Sequence, residues 1–389
     1  MLTEMRRDNA NLDLLRSVAV SLVFISHLVM VRGHLDDPIM KSLAVRQLAE
    51  LGVLLFFVHT SLVLMMSLER LGNGRVVQRF YVRRAFRIYP LAIVAVLVAL
   101  ELRIPPHFEL TFFWPPFGVV LQNILLVQNL FQSPEIVGPM WSLPFEVQMY
   151  LVLPFIFFAA RRIRSHAGII AMILAGFIIW FVDSHLARAW HYPALLRYAP
   201  WFFMGIAAYA GFKIVKPRVR SEYFGPLLLF LISVPALAQH FIGDYRTGWA
   251  SWTAGILFAL ALPFIQEVRS TILRRCAHTI ATYSYSIYLS HVPIMWFAFQ
   301  QLSSYSGWVQ LGVFIAAIGV IPAALYHLVE SPFIRFGSFV AEGLARRKCL
   351  SINFRQESHV DEDEKRFGRV VNELELIDHR WPARHSADL

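Results

Sequence analysis

The sequence predicts an all-α, polytopic integral membrane protein with about ten transmembrane helices. Three observations carry this. Of the 389 residues, 57% are hydrophobic and only 16% charged, with a mean hydropathy of +0.53. Soluble domains run nearer to one-half apolar and one-quarter charged, so the excess calls for a non-aqueous solvent. The apolar residues also gather in blocks, several reaching the ~20 residues that cross a bilayer. Finally, the basic residues cluster between the blocks, where topology signals lie.

In chain order the blocks predict spans over 12–31, 51–68, 88–102, 141–160, 168–184, 196–212, 224–241, 249–266, 280–301 and 309–333. With the N-terminus in the cytoplasm, sixteen Lys and Arg residues fall in inner loops and seven in outer loops. Every inner loop is then basic, as the positive-inside bias requires. Residues 103–140 are apolar in LTFFWPPFGVVLQNILLVQNLF, but a crossing there would invert every later loop. The segment 107–131 is therefore expected outside or re-entrant, covered by protein. The membrane domain is expected over 1–335. The charged remainder, 336–389, reads as a solvated cytoplasmic tail.

The net charge of +10 belongs to topology rather than to nucleic acid. Two cysteines, Cys276 and Cys349, give neither a disulfide framework nor metal-type spacing, so no metal site is expected. The first apolar run lacks a small-residue cleavage site and reads as a retained helix.

Ionisable groups within apolar spans are costly and need an explanation. The opening span, LDLLRSVAVSLVFISH, carries Arg16 and His27. At ~100° per residue, eleven steps place both on one face, roughly 16 Å apart along the axis. A snorkelling arginine and a packed histidine are the plain alternative. The sharper reading is a fixed cation below a titratable base.

Further polar groups follow: His59 in the second span, and Glu146 in MWSLPFEVQMY with Trp141 and Tyr150 as interface-type aromatics. His291 lies in ATYSYSIYLSHVPI, and His327 and Glu330 in YHLVESPFIRFG. Each alone suits helix packing; together they predict a polar interior. FYVRRAFRIYP places Arg83, Arg84 and Arg87 at the cytoplasmic mouth of the third span. Arg83 and Arg87, four apart, are expected to share a face, and Pro90 to mark where a helix begins. Besides anchoring topology, these guanidinium forks suit an anion such as phosphate.

These stretches, in this order, resemble the acyltransferase-3 family of membrane acyltransferases over residues 12–335. An Arg, ten residues and a His open the chain, followed by GVLLFFVHTS, FYVRRAFRIYPL, MWSLPFEVQMYLVLP, YSYSIYLSHVPI and LVESPFIRF. Departures are Thr60-Ser61 in place of Ser-Gly, Val147 in place of a second Glu, and Ser290 before the late His.

The resemblance implies an O-acetyltransferase type of enzyme. It would move an acyl group, usually acetyl, from cytoplasmic acyl-CoA to a hydroxyl on a glycan or lipid-linked saccharide. Acetyl-CoA would be a co-substrate, with no tightly bound cofactor, and the setting the plasma (bacterial inner) membrane with both termini cytoplasmic. Arg16, Arg83, Arg84 and Arg87 would hold the acyl-CoA, Arg16 also as a catalytic residue that polarises the bound arm, and His27 would act as base or acyl carrier. Glu146 and Glu330 would complete the catalytic set, and His291 and Trp141 would contact substrate. A proton-coupled transporter of a glycan-lipid or organic acid, with His27 and Glu330 as relays, is the alternative. A scaffold whose polar residues only join helices is the third reading.

Overall fold

The computed structural model describes residues 9–32, 43–72, 75–106, 111–186, 195–230, 233, 257–258 and 260–344. Among these residues the regular structure is helical, and the β-type pairing found is an isolated bridge between Val219 and Ile265. The helices are α1 (Ala10–Arg32), α2 (Leu43–Leu71), α3 (Val76–Glu101), α4 (Phe117–Ile124), α5 (Leu143–Ala160), α6 (His166–Leu186), α7 (Leu195–Ile214), α8 (Thr271–Trp296) and α9 (Gly307–Leu325).

Among the described residues, four helical runs are long and apolar enough to cross a membrane: Ala10–Val31, Leu48–Arg70, Gly138–Ala160 and Gly307–Leu344. The helices α3 and α8 are not among them, and they carry many of the polar groups described below. Large apolar side chains face outward along α6 and α9, including Ile170, Leu174, Ile178, Ile315 and Val320, which suits a lipid surroundings.

Helix starts follow local chemistry. Asn9 Oδ1 accepts from Asn11 N (3.0 Å) and Leu12 N (3.3 Å), an N-cap for α1. Pro144 sits in the first turn of α5, where its missing N–H costs no helical bond, and Glu146 lies in the same turn, favoured by the helix dipole. Three expected starts move. The helix α2 begins at Leu43, ahead of the expected 51. The basic stretch before residue 88 is itself helical, so α3 begins at Val76 and holds Pro90 in its interior rather than at its start. Just before that proline Tyr285 Oη donates to Ile88 O (2.8 Å), tying α8 to α3. The helix α8 likewise begins at Thr271, ahead of the expected 280, capped by Ser270.

Beyond α9 the chain makes a π turn, Tyr326–Glu330, and continues as helix to Leu344. Of the expected span 224–241, residues 224–230 and 233 are helical; the remainder of that span, half of 249–266, and residues 345–389 of the expected tail lie outside the described residues.

The helices pair in definite directions. The parallel pair α1 and α8 meets at Asp13–His278 (2.9 Å) near both starts and at His27–His291 (3.2 Å) further along. Stacked Phe57 and Phe202 (4.6 Å between centroids) and the Tyr209–Glu69 hydrogen bond make α2 and α7 parallel. The helix α5 runs with α7, through Phe145–Tyr198 and Phe157–Tyr209. Between α3 and α5, Gly138 N donates to Pro106 O (3.1 Å), so the chain at Gly138 stands beside its position at Pro106. Within the intervening segment, α4 has eight residues, too few to cross a bilayer.

The shared core is centred on Leu15, Leu54, Phe57, Leu62, Trp201 and Phe202, all nearly inaccessible. At its closest point α7 presents Gly205 to α2, where an added Cβ would overlap Ser61 Oγ and Val58 O and lie 3.0 Å from Leu62 N. Small residues let helix backbones approach this closely in membranes. Gly205→Ala is expected to lower stability by about 1–3 kcal/mol, read as a lower melting temperature of the detergent-purified protein. Adding Ser61→Ala should not restore it, because the Val58 carbonyl still blocks the methyl. An unchanged melting temperature would refute this packing.

Candidate active site

A cavity of about 100 Å³ lies among α1, α2, α3, α5 and α8. Arg16 enters from α1, His59 and Thr60 from α2, and Arg84 and Arg87 from α3. Glu146 and Tyr150 come from α5, Ser142 from the turn before it, and Ser284, Tyr285 and Tyr288 from α8. Three guanidinium groups thus face one cavity carboxylate.

Two of these charges, Glu146 and Arg87, are held from behind. Glu146 accepts from Tyr150 Oη (2.9 Å) and Thr60 Oγ1 (3.3 Å). Arg87 Nη1 meets Glu330 Oε1 at 2.9 Å, and Ser286 Oγ donates to Glu330 Oε2 at 2.8 Å. Glu330 is 1% exposed although its neighbour Leu328 is 76% exposed. Two residues apart on a helix, the two side chains take opposite faces, Glu330 inward and Leu328 outward, within the π turn Tyr326–Glu330.

The basic stretch divides differently from its i, i+4 spacing. Arg84 and Arg87, three apart, line the cavity, and Arg83 points to Glu342 (3.6 Å) on the extension of α9. That second carboxylate draws Arg83 away. The pair is largely exposed at Glu342, so it adds little stability.

His27 does not line this cavity. It lies one layer along α1, where His291 Nε2 stands 3.2 Å from His27 Nδ1. Tyr288 links the two layers: its ring centroid is 6.1 Å from that of His291, and it contributes to the cavity wall. Its hydroxyl lies 2.8 Å from Ser142 Oγ and donates to Pro139 O. Trp141, expected at substrate, packs with Phe145 and Tyr198 and is not part of the cavity lining. His327 is exposed, with its Nε2 3.1 Å from Tyr283 Oη. Among the described residues no group of three or more His, Cys, Asp or Glu could hold a metal ion.

The structure therefore joins Arg16, Arg84, Arg87 and Glu146 directly and Glu330 through Arg87, and it places His27 with His291. Ser142, Tyr285 and Tyr288 were not expected here. A signal existed for Tyr288: Ser284, Tyr288 and His291 follow i, i+4, i+7 spacing and share a face of α8.

This polar interior, cations in one layer and an imidazole pair in the next, can hold an anionic or polarised group and accept a proton nearby. Comparison with known proteins agrees in kind. A family model described as an acyltransferase domain matches residues 9–328. Nodulation protein 10 of Rhizobium leguminosarum bv. viciae is 25% identical over 320 residues, covering 73% of this chain and 82% of that protein. Acyltransferase MdmB of Streptomyces mycarofaciens is 24% identical over 359 residues, covering 82% and 90% respectively. No solved structure matches the chain. With the family model spanning most of the sequence, the chain belongs to the acyltransferase-3 family of membrane enzymes that transfer acyl groups.

Proposed function

We propose that this enzyme moves an acyl group, acetyl in the simplest case, from cytoplasmic acyl-CoA to a hydroxyl of a cell-surface glycan or lipid-linked saccharide. The observation that carries the reading is the cation-lined cavity of Arg16, Arg84 and Arg87 one layer from His27. An anionic, thioester-bearing donor suits the first layer, and a hydroxyl acceptor that must lose a proton suits the second. The ~16 Å along α1 between Arg16 and His27 is a span that the long pantetheine arm bridges.

In this scheme the guanidinium groups hold the donor, with Glu146 and Glu330 orienting them. The acceptor oxygen attacks the thioester carbon, its proton passes to His27, and the carbon–sulfur bond breaks. The thiolate then takes the proton, releasing CoA. Transfer through an acyl group carried briefly on His27 balances equally.

The membrane setting belongs to the same proposal: about ten spans in a plasma (bacterial inner) membrane, both termini cytoplasmic, and 107–131 outside or re-entrant. The parallel pairs α1 with α8 and α2 with α7, and the Gly138–Pro106 closure, support it. Each fits spans that alternate without a crossing between α3 and α5.

The test uses membranes containing the protein, radiolabelled acetyl-CoA and a crude envelope-glycan fraction. Label is expected in a base-labile ester, and only when the protein is present. Proton-driven uptake with no consumption of acetyl-CoA would instead establish a transporter.

A further inference from the structure

His291 lies on α8, 264 residues from His27, and is 1% exposed. Its Nδ1 is 3.0 Å from the Ile287 carbonyl. A carbonyl oxygen only accepts, so the Nδ1 carries the hydrogen, and in the neutral ring Nε2 is an acceptor. That acceptor faces His27 Nδ1 at 3.2 Å. His27 Nδ1 also lies 2.9 Å from Val23 O, a second acceptor. Both contacts demand the same thing, a hydrogen on His27 Nδ1. The opposite tautomer would set its Nδ1 lone pair against two others. The His291 ring is held in this orientation by Phe24 and Tyr288, whose centroids lie 6.3 and 6.1 Å away.

We propose that His291 is a positioning residue: it fixes His27 in the Nδ1–H tautomer, placing the lone pair on Nε2 to receive the acceptor's proton. The inference rests on the acyl-transfer reading above. It gives His291 the part that a carboxylate plays behind other catalytic histidines, and it replaces the substrate contact expected from the sequence. When Nε2 takes the hydroxyl proton, Nδ1–H remains shared between Val23 O and His291 Nε2. The imidazolium is then stabilised without ring rotation, and the proton leaves from Nε2 to the departing thiolate.

The experiment compares His291→Leu and His291→Gln with wild type, at matched amounts in membranes, by acetyl transfer from labelled acetyl-CoA to the envelope-glycan fraction. Leucine removes the acceptor; the glutamine amide oxygen reaches about where Nε2 stood. His291→Leu should lower kcat roughly ten- to a hundredfold with KM for both substrates within about twofold, and His291→Gln should recover most of the loss. If the leucine variant does not accumulate, His291→Asn serves, since its shorter amide does not reach His27. Equal kcat in all variants overturns the proposal. So does a raised KM at unchanged kcat, which would make His291 a substrate contact, or a glutamine variant as slow as leucine. A wild type that transfers no label, while a His27→Ala control behaves identically, sinks the acyl-transfer reading itself and the pairing's role with it.

Discussion

His27→Ala is expected to lower acyl transfer by about 10²–10⁴-fold, the range that a positioned general base contributes. The fall should lie in kcat, with KM for acyl-CoA nearly unchanged, because the cations proposed to hold the donor, Arg16, Arg84 and Arg87, stand a layer away. The substitution leaves the His291 Nε2 without the donor it faces at 3.2 Å. One lost partner for a buried acceptor costs about 1–3 kcal/mol, so some loss of thermal stability should accompany the loss of activity. Adding Val23→Ala should change little, because Val23 acts through its backbone carbonyl. Labelling of glycan by the alanine variant at the wild-type rate would remove His27 from the chemistry. If the wild type retains label on the protein chain itself, and the variant does not, the acyl group passes through His27.

How far the sequence discloses this arrangement depends on the range over which each contact acts. Arg16 and His27 sit on one helix, so ordinary helical periodicity places them on one face without any tertiary information. The apolar runs and basic loops locate most helices, because a bilayer imposes length and charge rules on each segment separately. Contacts between segments are another matter. The i, i+4 spacing of Arg83 and Arg87 suggests a common face, but Glu342 draws Arg83 outward and Arg84 joins Arg87 at the cavity. Glu330 sits at the end of a π turn, which regular 3.6-residue periodicity does not contain. The His27–His291 pair joins residues 264 apart in the chain, and no local pattern could announce it. Trp141 looked like an interface aromatic with substrate in reach; its neighbours Phe145 and Tyr198 take its ring instead.

Glu330→Ala is expected to be the most destabilising of the carboxylate substitutions, and the reason lies in what it leaves behind. The Glu330 side chain is fully inaccessible and lies 2.9 Å from Arg87, whose own side chain is 21% exposed. Ser286 donates to its other oxygen. Without Glu330, Arg87 faces a cavity that already holds Arg16 and Arg84, and breaking a buried pair this way costs about 3–5 kcal/mol. Removing both charges is a different experiment. Arg87→Met with Glu330→Leu fills the space with apolar atoms and leaves no charge unpaired, so most of the stability should return. Activity should not return, because the proposed donor site has lost one of its three guanidinium groups. The two readouts therefore separate: melting temperature follows the pairing of the charges, and acyl transfer follows the presence of Arg87. Recovery of both in the double variant would make the Arg87–Glu330 pair purely architectural. Recovery of neither would mean that the pair sets the mutual placement of α3, α8 and α9, a task that apolar packing cannot take over.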